Sequence, residues 1–230
     1  ATIEMDDEEM LTLDSLRAAS EGFSSRLGMS HPHVMSLLLV LGRYLRKISN
    51  PHYGVDHDDE SESIVRRVMS LRSDTLGASH PDYLSSVQEV ADNLIRRNRC
   101  GLRLRVDELD VVEEAECLYR TALEGRRKVL GFNHPKTMVT SNQLASLLYA
   151  TRNPNKEEEA LFLFRLDLEF CENQHEKNKN THGDQHGTTI KALVNVAHAL
   201  WSRHRQRDVE DVGVRGNETE YNGARERRQS

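Results

Sequence analysis

Large apolar residues flank one small residue, at helical spacing, in four places along the chain. Leu41, Gly42 and Leu45 form the first set, and Val90, Ala91 and Leu94 the second. Leu144, Ala145 and Leu148 form the third, and Val196, Ala197 and Leu200 the fourth. Each set falls on one face of a helix, and its small residue predicts a point where another helix approaches closely. A generic amphipathic helix does not place a small residue at the same register four times.

A second kind of helix is predicted upstream of each set. In VEEAECLYRTALEGRRKVLG, Ala115, Tyr119 and Ala122 share a face. Ser61, Val65 and Val68 repeat that row, as do Leu16 and Ala19. Ala160 and Phe164 repeat it once more, with Asp167 interrupting it. Between the two helices stands a recurring turn: LGMSHP at 27–32, LGASHP at 76–81, LGFNHP at 130–135, and a degraded HGDQHG at 182–187. Its glycines, Gly28, Gly77, Gly131 and Gly183, lie 49, 54 and 52 residues apart. Gly after an amphipathic run is predicted to be the left-handed residue that stops a helix. Pro a few residues later opens the next helix, because the N–H it lacks would be unpaired there anyway. His31, His80, His134 and His186 occupy the same place in each turn, where they cap or pack the helix start.

This paired pattern, L-G/A-x2-Y/L on one helix and A-x3-Y/F-x2-A on the other, resembles a tetratricopeptide repeat. The stretch EEAECLYRTALEGRRKVLGFNHPKTMVTSNQLASLLYATRNPNKEEEA is similar to the longer repeat of kinesin light chains and nephrocystin-like proteins, whose helices are joined by an LG-x-x-HP turn. The likeness covers most of residues 10–205. Loops at 49–59 and 98–110 are longer than the family's short turns. The resemblance implies an all-α fold, a right-handed superhelical solenoid of about four antiparallel helix pairs over residues 1–207. Residues 208–230, VGVRGNETEYNGARERRQS with what precedes it, lose the period and read as a disordered tail.

The resemblance also implies a function and a site. Such repeats serve as scaffolds or adaptors, with the helix after each His-Pro lining a concave groove that takes a partner peptide. From the first repeat the groove then receives Arg43 and Arg46, and from the second Gln88, Asp92 and Arg96. Asn142, Ser146 and Tyr149 come from the third, and Lys191, His198 and Trp201 from the fourth. Amides such as Gln88 and Asn142 can hold an extended backbone with both donor and acceptor. The arginines suit acidic side chains or a terminal carboxylate, and Tyr and Trp are enriched at binding hot spots. The alternative is a regulatory or sensor repeat module of a larger protein with a nucleotide-binding or catalytic domain. An opening at Ala1, without an initiator Met, reads as a fragment or a processed form.

Composition removes other classes. The formal charge of −6 gives no general cationic field for phosphate backbones, so no nucleic-acid partner is expected. The longest apolar window, MSLLLVLGRYL, is about half the ~20 residues of a membrane span, and no membrane partner is expected. Three scattered cysteines, Cys100, Cys117 and Cys171, fit reduced thiols in a cytoplasmic protein, with Cys117 and Cys171 read as buried and inert. HExxH, GxxxxGK[ST], GxGxxG and GxSxG motifs are absent, and no enzyme activity or cofactor is expected. Histidines one repeat apart cannot share an ion. The local cluster of His182, Asp184 and His186 lacks the four well-set ligands of a zinc site, so no metal is expected.

Overall fold

A computed structural model describes residues 7–49, 56–100, 103–104, 109–177 and 189–201. Helices α1 (Asp7–Leu27) and α2 (Pro32–Ile48) form the first pair. α3 (Asp58–Leu76) with α4 (Pro81–Arg97), and α5 (Leu109–Leu130) with α6 (Pro135–Ala150), form the next two. α7 (Pro154–Lys177) and a helix over 189–201, α8, follow. Each helix from α1 to α6 packs on its neighbours in chain order, as a repeat stack requires. The stretch between α4 and α5, expected as a plain loop, contains a two-residue antiparallel ladder, β1 (Arg99–Cys100) with β2 (Arg103–Leu104). The chain divides into two compact units, 1–151 and 152–230, so α1–α6 belong to the first and α7 and α8 to the second.

The turns set the helix boundaries where the sequence places them. Gly28, Gly77 and Gly131 have φ of 84°, 83° and 89°. At Gly77 ψ is 161°, which corrects the expected left-handed cap to a glycine-only region. A Cβ built on any of the three meets nothing within 4 Å, so the requirement is conformational and not steric. His31, His80 and His134 are the N-caps of α2, α4 and α6. Each imidazole Nδ1 accepts from the backbone N–H two residues on, at 3.3, 3.1 and 3.1 Å. That uses one of the donors every helix start leaves over. His186 lies outside the described residues. α7 starts on Asn153, whose Oδ1 accepts from the Asn155 N–H at 3.0 Å.

Burial follows the two predicted rows. Ser61, Val65 and Val68 are at most 1% exposed, and Ala115, Tyr119 and Ala122 at most 3%. Gly42 marks the closest approach: a Cβ there would lie 2.7 Å from Val65 Cγ2 of the next repeat. Ala91 and Ala145 are wholly buried at the equivalent register. In α1 the row weakens, because Leu13, not Leu16, enters the core with Leu41, Leu45 and Ile48, while Leu16 and Ala19 stay half-buried. In the second unit Ala160 and Phe164 are buried as expected and Asp167 is half-buried. α8 departs from expectation: Ala197 and Leu200 are exposed, whereas Ala192 and Ala199 are buried. Cys117 is exposed and Cys171 half-buried, so neither is the buried thiol the sequence suggested. The amphipathic phase places Cys117 two residues from the buried Tyr119, on the outer face. The expected tail lies outside the described residues.

Candidate functional site

Two buried arginines fix how successive repeats meet. Arg72 and Arg126 each stand five residues before a turn glycine and are 5% and 4% exposed. Arg72 Nη1 donates to the Asp82 carbonyl and to Ser86 Oγ, both at 2.9 Å, and Nη2 reaches back to Ser36 Oγ of the preceding repeat at 3.4 Å. Arg126 repeats the arrangement, with Lys136 O at 3.1 Å, Thr140 Oγ1, and Ser85 Oγ of the preceding repeat at 3.2 Å. It also donates to Gln88 Oε1. Desolvation lowers the pKa of both guanidiniums, and the charges of Asp82 on Arg72, and of Asp92 and Glu89 on Arg126, oppose it. Dense hydrogen bonding is what makes burying these cations tolerable.

On the outer side a second ladder runs between repeats. Arg17 meets Glu60 at 2.7 Å, and Arg66, one repeat on, meets Glu114 at 2.8 Å. The hydrogen bond to Glu114 is the main reason that the Arg66 pKa rises. On the inner side a third ladder links the helices that follow His-Pro. Arg43 meets Glu89 at 2.6 Å, and Asp92 Oδ1 accepts from Gln143 Nε2 at 2.8 Å. In both rungs a residue eleven beyond one Pro bonds a residue eight beyond the next.

These helices border an open cleft of about 390 Å³. Arg46 of α2 lines it, with Asp92, Ile95 and Arg96 of α4, Tyr119 of α5, and Gln143, Ser146 and Leu147 of α6. Asp92 Oδ1 also accepts from Tyr119 Oη at 2.5 Å. Burial pushes the Asp92 carboxyl above its usual range, chiefly against the hydrogen bond from Tyr119. Arg46 donates to Asn93 Oδ1 at 2.9 Å and pairs with Glu89 at 3.0 Å. Arg96 binds Asp58 at 2.6 Å and the Ser49 carbonyl at 3.0 Å. Two atoms of the lining residues, Arg96 Nε and Gln143 Oε1, are buried with no hydrogen-bond partner.

The eleven sequence-predicted residues therefore divide. Arg46, Asp92, Arg96 and Ser146 come together in the cleft. Arg43 is exposed beside it on the Glu89 rung, and Asn142 and Tyr149 are half-buried on α6. Gln88, expected in the groove as an amide to hold a peptide backbone, lies beneath the surface at 9% exposure with its Oε1 taken by Arg126 and Thr140. Lys191, His198 and Trp201 are exposed on α8, in the second unit. Tyr119 and Gln143 were not predicted. Tyr119 counted as core, and Gln143 lies one residue off the row that defined the groove. Comparing residues eight and eleven beyond each Pro, repeat against repeat, would have found the rungs.

Among the described residues, no group of three His, Cys, Asp or Glu side chains is placed to hold a metal ion. No helix among them is long and apolar enough to cross a membrane.

Comparison with known proteins agrees with this architecture. The tetratricopeptide repeat family model matches residues 108–136, which span α5 and the turn into α6. No curated protein matches the chain in sequence. Two crystal structures of the nearly identical TPR-like repeats of a protein described as a kinesin light chain, from Podosopora anserina, are similar in fold. They share 17% identity with this chain, over 88% of it and 82% of theirs, with TM-scores of 0.62 and 0.59. Repeats of this kind stack into extended concave binding surfaces. The chain is all-α, carries a divergent tetratricopeptide repeat, and has the fold of kinesin-light-chain-like repeat solenoids.

Proposed function

We propose that this chain is a protein-interaction scaffold whose cleft between α2, α4 and α6 holds an extended segment of a partner protein. The observation that carries this reading is the convergence of Arg46, Asp92, Arg96 and Ser146, from three successive repeats, on one open cleft. Ile95 and Leu147 give it apolar wall for alternate side chains, and its polar groups give orientation. Arg46 and Arg96 already bind Glu89 and Asp58, so a ligand carboxylate competes with the chain's own acids. Main-chain hydrogen bonding and apolar anchoring therefore carry more of the recognition than ion pairing.

The test is selection of random linear peptides on the intact chain, repeated with Ser146→Arg, which fills the cleft from a half-buried position. Peptides that bind the parent and lose at least tenfold in affinity on the variant, at equal helicity, support the reading. Peptides that bind both equally, or no selected peptide at all, refute it.

A further inference from the structure

Three charged side chains line the cleft, and only two of them have a counter-ion. Arg46 pairs with Glu89 at 3.0 Å and Arg96 with Asp58 at 2.6 Å, so each lining cation has an acid of its own. Asp92 forms no ion pair among the described residues. Its hydrogen bonds come from neutral donors, Tyr119 Oη at 2.5 Å and Gln143 Nε2 at 2.8 Å, and both end on Oδ1. Oδ2 accepts from neither and is not buried.

The surrounding charges leave that oxygen uncompensated. Burial raises the Asp92 carboxyl most, and the repulsion of Glu89 on it outweighs the attraction of Arg46. Glu89 itself is shared, since Arg43 also holds it, at 2.6 Å. Arg126 attracts Asp92 through space, but its terminal nitrogens are taken by Gln88, Thr140, Ser85 and the Lys136 carbonyl. A half-buried carboxylate without a counter-ion is disfavoured in its charged form. A cation brought by a ligand relieves that.

The rest of the lining fits that cation to a long side chain. Ile95 and Leu147 give apolar wall for a methylene stem. Ser146, on the same cleft, adds a hydroxyl that can accept a second hydrogen bond. One free oxygen suits a compact ammonium, whereas the planar fork of a guanidinium is matched by both oxygens of a carboxylate. A ligand acid gains little in this cleft, because Arg46 and Arg96 would first have to leave Glu89 and Asp58.

We propose that the cleft selects a partner segment carrying a lysine, whose ammonium pairs with Asp92 and whose stem lies against Ile95 and Leu147. This rests on the cleft being the binding site, and it decides which segments are accepted more than how tightly they bind. The experiment takes peptides selected on the intact chain and remakes each with its lysine replaced by methionine or by arginine. Calorimetry measures every version against the parent and against Asp92→Asn. That variant keeps an oxygen for Tyr119 and Gln143 and turns the free oxygen into a donor amide, and circular dichroism checks that it keeps parental helicity. The selected peptides are expected to share a lysine, and the arginine versions to bind the parent more weakly. Methionine should weaken binding to the parent about tenfold and to Asp92→Asn by less than about twofold. Selected peptides with no shared lysine, an equal loss on both chains, or arginine matching lysine overturns the proposal. Ser146→Arg keeps the two readings apart. Peptides that lose affinity on it but show no coupling to Asp92 overturn the lysine and keep the cleft, while peptides indifferent to it overturn both.

Discussion

Arg126→Met tests whether the buried guanidinium holds the second and third repeats together. The substitution keeps the length of the side chain and removes every donor. Four acceptors lose a partner: Gln88 Oε1, Thr140 Oγ1, Ser85 Oγ and the Lys136 carbonyl. The hydroxyls adapt by rotation. Thr140 Oγ1 lies 3.0 Å from Gln88 Oε1 and 2.9 Å from the Lys136 carbonyl, but its single proton serves only one of them. One acceptor is therefore left buried and unsatisfied, at about 1–3 kcal/mol, beyond the hydrogen bonds lost to a charged donor, at about 1.5–3 kcal/mol. Apolar burial of the methionine offsets part of this, and a net loss of about 2–4 kcal/mol is expected. Urea unfolding followed by circular dichroism reads it as a lower midpoint. Adding Gln88→Leu removes the orphaned amide, and the pair should recover about half of the loss, because replacing both partners costs far less than replacing one. A loss below about 0.5 kcal/mol for the single variant, within the range of ordinary surface changes, or no recovery in the double, would refute the reasoning.

Three further outcomes follow from the same geometry. His134→Ala should cost about 1 kcal/mol by removing the α6 cap, and His134→Asn should restore most of it; equal denaturation midpoints for all three proteins would contradict the cap. Gly77→Ala should cost about 1–3 kcal/mol through its backbone conformation alone, with no neighbouring truncation relieving it. Gly42→Ala should cost a similar amount through collision with Val65, and Val65→Ala should relieve it, so identical behaviour at the two glycines would refute the distinction. Asp92 is harder to ionise folded than unfolded, so it favours the folded state when protonated and loses that contribution as pH rises through its folded pKa. Asp92→Asn should therefore stabilise the chain at neutral pH, by an amount that shrinks in mild acid; urea titrations at both conditions check it, and a difference that grows in acid has the wrong sign.

The turns were legible because Gly-x-x-His-Pro has one physical reading, a positive-φ stop followed by a capped restart, and it recurs. Small residues at fixed register were legible for the same reason, since only close helix approach demands them. The arginines were not. Arg72 and Arg126 lie among other charges in LRSDTLG and GRRKVLG, and a cation in an amphipathic helix reads as solvated unless its buried acceptors are known. Gln88 was misplaced by the same mechanism: a position on the groove row is buried when a neighbouring repeat supplies a donor beneath it. In α8 the close approach expected at Ala197 was not found: Ala197 and Leu200 are exposed there, and Ala192 and Ala199 are the buried residues. Half of the cleft was visible through the row spacing, but Tyr119 and Gln143 enter through Asp92, a contact between repeats that no single helix pattern contains.

The proposed function places a partner segment in the cleft between α2, α4 and α6. Amide chemical-shift mapping of the labelled chain, titrated with a peptide from the selection, tests it most directly. The account predicts that the largest changes fall at Arg46, Asp92, Ile95, Arg96, Gln143 and Ser146, with α1, α3 and the outer ladder of Arg17, Glu60, Arg66 and Glu114 unmoved. Changes concentrated on that outer ladder, with the cleft residues silent, would contradict it.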